Sequence, residues 1–106
     1  MAGTNDLVML SLQIVAAVGE AKSLYMEALT AAKEGGFAAA QEKVKAGDQR
    51  FAEGHDLHGD LIGREAGGDP VIMTLMLTHA EDQMMSAETI KLMVLEFIEL
   101  YGRLAK

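Results

Sequence analysis

The sequence predicts an all-α protein, folded as an antiparallel up-down-up bundle of three helices. Three observations carry this. Ala, Leu and Met supply most of the apolar half of the chain and only 5% of residues are aromatic, a composition that suits helices and not the β-branched faces of sheets. Paired glycines or a proline break the chain in two places, KEGGF at 33–37 and REAGGDPVI at 64–72. The three segments between these breaks carry apolar residues at spacings of three and four.

The first helix is expected from Asn5 to Glu34. Leu7, Leu10, Ile14, Ala17, Ala21, Leu24, Ala28 and Ala31 form an uninterrupted heptad seam, and Gly35 and Gly36 stop it. The second helix is expected from Phe37 to Ala66, with a weaker seam of Phe37, Ala40, Val44, Gly47, Phe51, His58, Leu61 and Ile62. Its glycines, Gly47, Gly54, Gly59 and Gly63, either permit close packing or loosen the helix, each costing ~1 kcal/mol relative to Ala. The third helix is expected from Pro70 to Leu104, with Asp69 as N-cap and Pro70 in the first helical position. Its seam reads Met76, Ala80, Gln83, Ala87, Ile90, Val94, Phe97, Tyr101 and Leu104. Each helix would be ~45 Å long, and short connections make neighbours antiparallel. One domain covers residues 1–106.

The formal net charge of −7 argues against nucleic acid and anionic membrane as partners and suits a basic protein partner. The chain has no cysteine, so no disulfide or thiol chemistry resides on it. It shows neither a basic-then-apolar leader nor an unbroken apolar run of ~18 residues, so a cytoplasmic protein with no direct membrane insertion is expected.

The third helix has a second line beside its seam: Ile72, Leu75, His79, Asp82, Ser86, Thr89 and Met93. A helix apolar on most sides needs more than one partner surface, and another copy of the chain can supply it. The third helix is therefore read as the centre of a homo-oligomer. At such an axis Asp82 would recur once per copy and would share protons or bind a cation; in a wet groove it would do neither. His79 is either a satisfied core histidine or a nucleophile and phosphoryl acceptor at neutral pH. His55 and His58, three apart, either lie on a polar face or hold a metal. The Glu-x-x-His pairs of a di-iron bundle are absent, because Ala52, His55 and Met76 precede the histidines by three.

Three stretches resemble one family: IVAAVGEAKSLYMEALTAAKEGGFAAA, AEGHDLHGDLIGREAGG and LTHAEDQMMSAETIKLMVLEFIELY. Together with length and loop positions they resemble the IIA component of the lactose/cellobiose/chitobiose branch of the bacterial phosphoenolpyruvate-dependent sugar phosphotransferase system. The family pattern Gly-(Asp/Glu)-Ala-(Arg/Lys)-Ser is seen at Gly19 to Ser23, and Gly-Asp-Phe-Ala at Gly35 to Ala38. The resemblance implies a homotrimer packed around the third helix. It implies that His79 takes a phosphoryl group from the histidine phosphocarrier protein HPr and passes it to a cysteine of the IIB component, during uptake of a β-linked disaccharide. It also implies that Asp82 of each subunit holds a divalent cation, Mg2+, on the threefold axis. A Met-rich flank of Met73, Met76, Met84 and Met85 would keep a phosphohistidine dry.

The chain departs from the family's His-(Ala/Gly)-Gln-Asp-His-Leu-Met-Thr in four places: Glu81 for Gln, Gln83 for His, Met84 for Leu and Ser86 for Thr. In the second helix, His58-Gly59 stands where Gln-Thr is common. Glu81, Gln83 and His58 are therefore the candidates for an altered phosphoryl pocket, with Gln83 and His58 as its donors. The alternative is a trimeric helical scaffold of the same fold that has lost phosphotransfer.

Overall fold

The computed structural model describes residues 4–106; residues 1–3 of the domain expected over 1–106 lie outside it. Three helices, α1 Thr4–Lys33, α2 Phe37–Ala66 and α3 Leu75–Leu104, run up, down and up in a rod of 56 × 20 × 19 Å. Both stops work as the glycines predict. After α1, Gly35 takes φ +84°, Gly36 N–H donates to Ala31 O at 2.8 Å and Gly35 N–H to Ala32 O at 3.1 Å. After α2, Gly68 takes φ +94°, Asp69 N–H donates to Arg64 O and Gly68 N–H to Glu65 O. Each is a Schellman closure with glycine in the left-handed position.

That second closure moves the start of α3. Asp69 completes the end of α2 and does not cap α3. The chain then runs non-helically through 70–74, and Val71 packs half-buried on the core. Thr74 is the N-cap, its side-chain oxygen accepting from Leu77 N–H at 3.0 Å, which satisfies one of the helix's free first-turn donors.

The core lies along α1, which packs on both other helices. One end holds Leu7, Ile14, Val18, Leu61, Leu77 and Met84, and the other Tyr25, Ala28, Val44, Val94 and Ile98. The buried line of α1 includes Ser11, Val18, Tyr25 and Ala32 where the expected seam had Leu10, Ala17, Leu24 and Ala31; of these four, Ala17 is buried too and the other three are half-buried. On α3, Leu77, Met84 and Ile98 are buried, whereas Met76 and Gln83 are half-buried and Phe97 is exposed. Both helices are apolar in two adjacent heptad registers, and packing selects the one that faces the shared partner. Buried Ser11 meets its hydrogen-bonding need within its own helix, donating to Leu7 O at 2.6 Å. An 18-residue window of α1 reaches a mean hydropathy of 1.5, enough by length and composition to cross a membrane; here α1's apolar stripe forms the core.

The four glycines of α2 divide cleanly. Gly47 and Gly54 are buried against α1: a Cβ at 47 would lie 2.6 Å from Tyr25 Cε1, and one at 54 would lie 2.8 Å from Val18 Cγ1. Gly59 and Gly63 would meet nothing within 4 Å. The Tyr25 ring that lies over Gly47 also ties the helices together. Its hydroxyl donates to Asp48 Oδ1 at 2.6 Å, and Lys91 Nζ of α3 lies 2.8 Å from the same oxygen. Burial, reinforced by the hydrogen bond to Asp48 and by its charge, pushes the Tyr25 phenol well above its ordinary pKa.

Gly47→Ala is expected to lower stability by about 1–2 kcal/mol, because overpacking against a rigid ring exceeds the ~1 kcal/mol gained in helix propensity. Gly59→Ala and Gly63→Ala should each raise stability by about 0.5–1 kcal/mol. Urea unfolding followed by circular dichroism separates the two sets. For Tyr25 the folded-state pKa is raised, so the fold holds the neutral phenol. Its contribution is complete below the unfolded value near pH 10 and is lost as pH rises through the folded value. The native chain should therefore lose stability above about pH 10 more steeply than Tyr25→Phe, as read by thermal melts across that range.

Candidate functional site

The segment 79–83 lies just past the first turn of α3, whose orientation is fixed by Leu77, Ala80, Met84 and Ala87 packed in the core. Each residue turns a helix by about 100°. His79, one before Ala80, therefore looks out along one flank of the core line. Glu81, one after Ala80, looks out along the other. Gln83, one before Met84, shares the flank of His79 and stands one turn away from it.

The contacts agree with this division. Glu81 faces α2, where its Oε1 lies 3.5 Å from His58 Nε2. This is a loose pair: the His58 side chain is 14% exposed and that of Glu81 37%. His58 occupies an inward heptad position of α2 between buried Gly54 and Leu61, which explains why a histidine is half-buried there. The two side chains line a small crevice with Leu61, Met73 and Leu77. Gln83 faces α1 instead, and its Oε1 accepts from Lys22 Nζ at 3.3 Å.

Of the expected pocket residues, Glu81 and His58 thus meet each other, and Gln83 alone lies on the flank of His79. His79 itself is exposed and makes no hydrogen bond or ion pair among the described residues. Its ring is not held by a carboxylate as a general base would be, and offers a nitrogen lone pair to an incoming electrophile. Asp82 is exposed on the outer side of α3. The methionines divide: Met84 is core, Met76 half-buried, Met73 borders the His58–Glu81 crevice, and Met85 is exposed.

His55 lies beside the Phe51 ring, with centroids 6.2 Å apart. Among the described residues no group of three or more His, Asp or Glu side chains converges to hold a metal. Lys22 is the contact that periodicity missed. It lies off the first helix's seam, and the one sequence signal for it is the basic position within Gly19 to Ser23.

Comparisons with known proteins agree on one family. The profile of the lactose/cellobiose-specific IIA subunit of the phosphotransferase system matches residues 9–102. The chain is 38% identical over 94 residues to the lichenan-specific phosphotransferase enzyme IIA component of Bacillus subtilis (strain 168), covering 89% of this chain and 86% of that protein. It is 34% identical over 99 residues to the lactose-specific EIIA component of Staphylococcus aureus (strain N315), covering 93% and 96%. The fold superposes on the crystal structure of the cellobiose-specific enzyme IIA from Bacillus anthracis with a TM-score of 0.91 at 35% identity, covering 99% of this chain and 94% of that one.

Proposed function

Because the chain belongs to the lactose/cellobiose-specific IIA family of the sugar phosphotransferase system, we propose that it carries phosphoryl groups on His79. The observation that carries this reading is the exposed, unengaged imidazole of His79. A ring nitrogen of His79 attacks the phosphorus of phospho-HPr. The N–P bond to the donor histidine breaks, its electron pair returns to the donor ring, and a new N–P bond forms. In the second half, a thiolate of the IIB component attacks the same phosphorus and His79 leaves. Little covalent work falls on the protein in such a transfer; positioning and charge stabilisation decide the rate.

The placement of Glu81 supports this function over a scaffold that has lost phosphotransfer. A carboxylate turned toward a phosphoryl group would repel it, but Glu81 faces His58 on the opposite flank from His79. Relatives are named for lichenan and lactose, and a solved neighbour for cellobiose. This chain is accordingly assigned to uptake of a β-linked disaccharide, acting in the cytoplasm.

The same reading assembles three copies around α3. Leu75, Leu92, Met93 and Leu104 are all more than half exposed on a single chain, and unpartnered apolar surface on this scale suits burial against other copies. Asp82 lies on this outer side. One chain offers one carboxylate there, which does not make a metal site; three copies would present three oxygen donors, a set suited to Mg2+. The ion would offset the repulsion of three like charges at the axis.

Incubation with phosphoenolpyruvate, enzyme I and HPr should add one acid-labile phosphoryl group per chain by intact-mass spectrometry, and His79→Ala should add none. No added mass on the native chain would return the scaffold reading. Asp82→Leu is expected to remain trimeric, because it replaces buried like charges with apolar contact. Light scattering after size exclusion reads this, and a monomer there would make the cation a requirement of assembly.

A further inference from the structure

Lys22 of α1 meets Gln83 on the flank of α3 that Gln83 shares with His79, and the carrier mechanism above does not use it. It sits half-buried on α1 with its Nζ 3.3 Å from Gln83 Oε1. Lysine has donors and no acceptor, so it fixes which end of the amide it meets. The oxygen of Gln83 faces Lys22, and the NH2 group is left pointing elsewhere. His79 precedes Gln83 by four residues, so the two Cβ atoms are about 5–6 Å apart on one helix face. A phosphoryl group on His79 falls within reach of that NH2.

Lys22 brings positive charge to this flank, while Asp82, three residues from His79, lies on the outer side of α3. Lys22 has no carboxylate partner among the described residues; its contact is a neutral amide. Glu27, which borders the same α1–α3 groove as Lys22, is engaged by Lys43 at 3.1 Å. Glu20 is engaged by Arg50 at 2.7 Å, and Glu81 is turned to the far flank. In a chain of net charge −7, Lys22 is a cation with no ion-pair partner among the described residues.

We propose that Lys22 is a positioning residue for phosphoryl transfer: it holds the Gln83 amide so that its NH2 group donates to an oxygen of the phosphoryl group on His79, and it adds positive charge beside that group. The proposal rests on the carrier reading of His79. Gln83 stands where the family pattern has histidine, so in this chain an amide oriented by a lysine takes the place of an imidazole donor.

The test compares the native chain with Lys22→Met, Lys22→Arg and Gln83→Glu. Phosphorylation by phospho-HPr is followed by rapid-quench mass spectrometry, with a thermal melt of each variant alongside. Lys22→Met is expected to slow transfer about tenfold, the scale of a lost charge-assisted donor, and Lys22→Arg to recover to within about threefold of native. Gln83→Glu is the discriminating variant. It keeps the link to Lys22, now as an ion pair, and so preserves the melting temperature. It also removes the NH2 donor and sets a carboxylate beside the phosphoryl group, so transfer should fall at least tenfold. Native-like transfer in Gln83→Glu overturns the proposal, because a purely structural link between α1 and α3 would survive that change. Equal rates in all four proteins overturn it as well, while leaving His79 as carrier. No labelling of the native chain overturns the carrier reading, and the role of Lys22 with it.

Discussion

The fold depends on a close approach between α1 and α2 that tolerates no side chain at Gly47. The Tyr25 ring fills the space where a Cβ would stand. From there its hydroxyl reaches Asp48, and Asp48 reaches Lys91 on α3. One buried phenol thus sets the spacing of one helix pair and, through a shared carboxylate, ties in the third helix. A buried hydroxyl needs a partner, and here the partner is itself satisfied by a cation. Gly54 against Val18 repeats the close approach two turns further along α2, so α1 and α2 lie together over much of their length.

Because α1 packs on both other helices, it also fixes the rotation of α3. With Leu77, Ala80, Met84 and Ala87 held in the core, the residues on either side of that line are divided between two flanks. His79 and Gln83 go to one, Glu81 to the other. This division changes the meaning of the Glu81 departure. In sequence, an acidic residue two places from the proposed phosphoryl acceptor looks like an obstacle. In three dimensions, two residues along a helix is just over half a turn, and the carboxylate meets His58 instead. On the flank of His79 the contact comes from another helix: Lys22 of α1 donates to Gln83.

Legibility varied with the kind of signal. The ends of α2 were read to the residue and that of α1 to within one, because glycine in the left-handed conformation is a local requirement that neighbouring residues reveal. The start of α3 was read five residues early. Asp69 and Pro70 have the right chemistry for a cap and a first turn, but Asp69 N–H is already used to close α2, and Thr74 caps α3 instead. The seams of α1 and α3 were each read partly in the neighbouring register: Leu10 for Ser11, Leu24 for Tyr25, Met76 for Leu77 and Gln83 for Met84. Local pattern cannot choose between two registers that are both largely apolar.

The sequence by itself determined that there would be three helices, where the two turns fall, that the chain resembles the lactose/cellobiose-type IIA family, and that His79 is the residue to watch. These follow from composition, glycine punctuation and motif, all carried by residues close together in the chain. Tertiary structure decided which glycines are packed and which are open, which apolar register faces inward, and which partners Gln83 and Glu81 meet. Those depend on the rotation and spacing of helices whose contacting residues lie far apart in sequence, Lys22 and Gln83 being 61 residues apart. No spacing rule within one helix encodes such a pair; it appears when α1 fixes how α3 is turned.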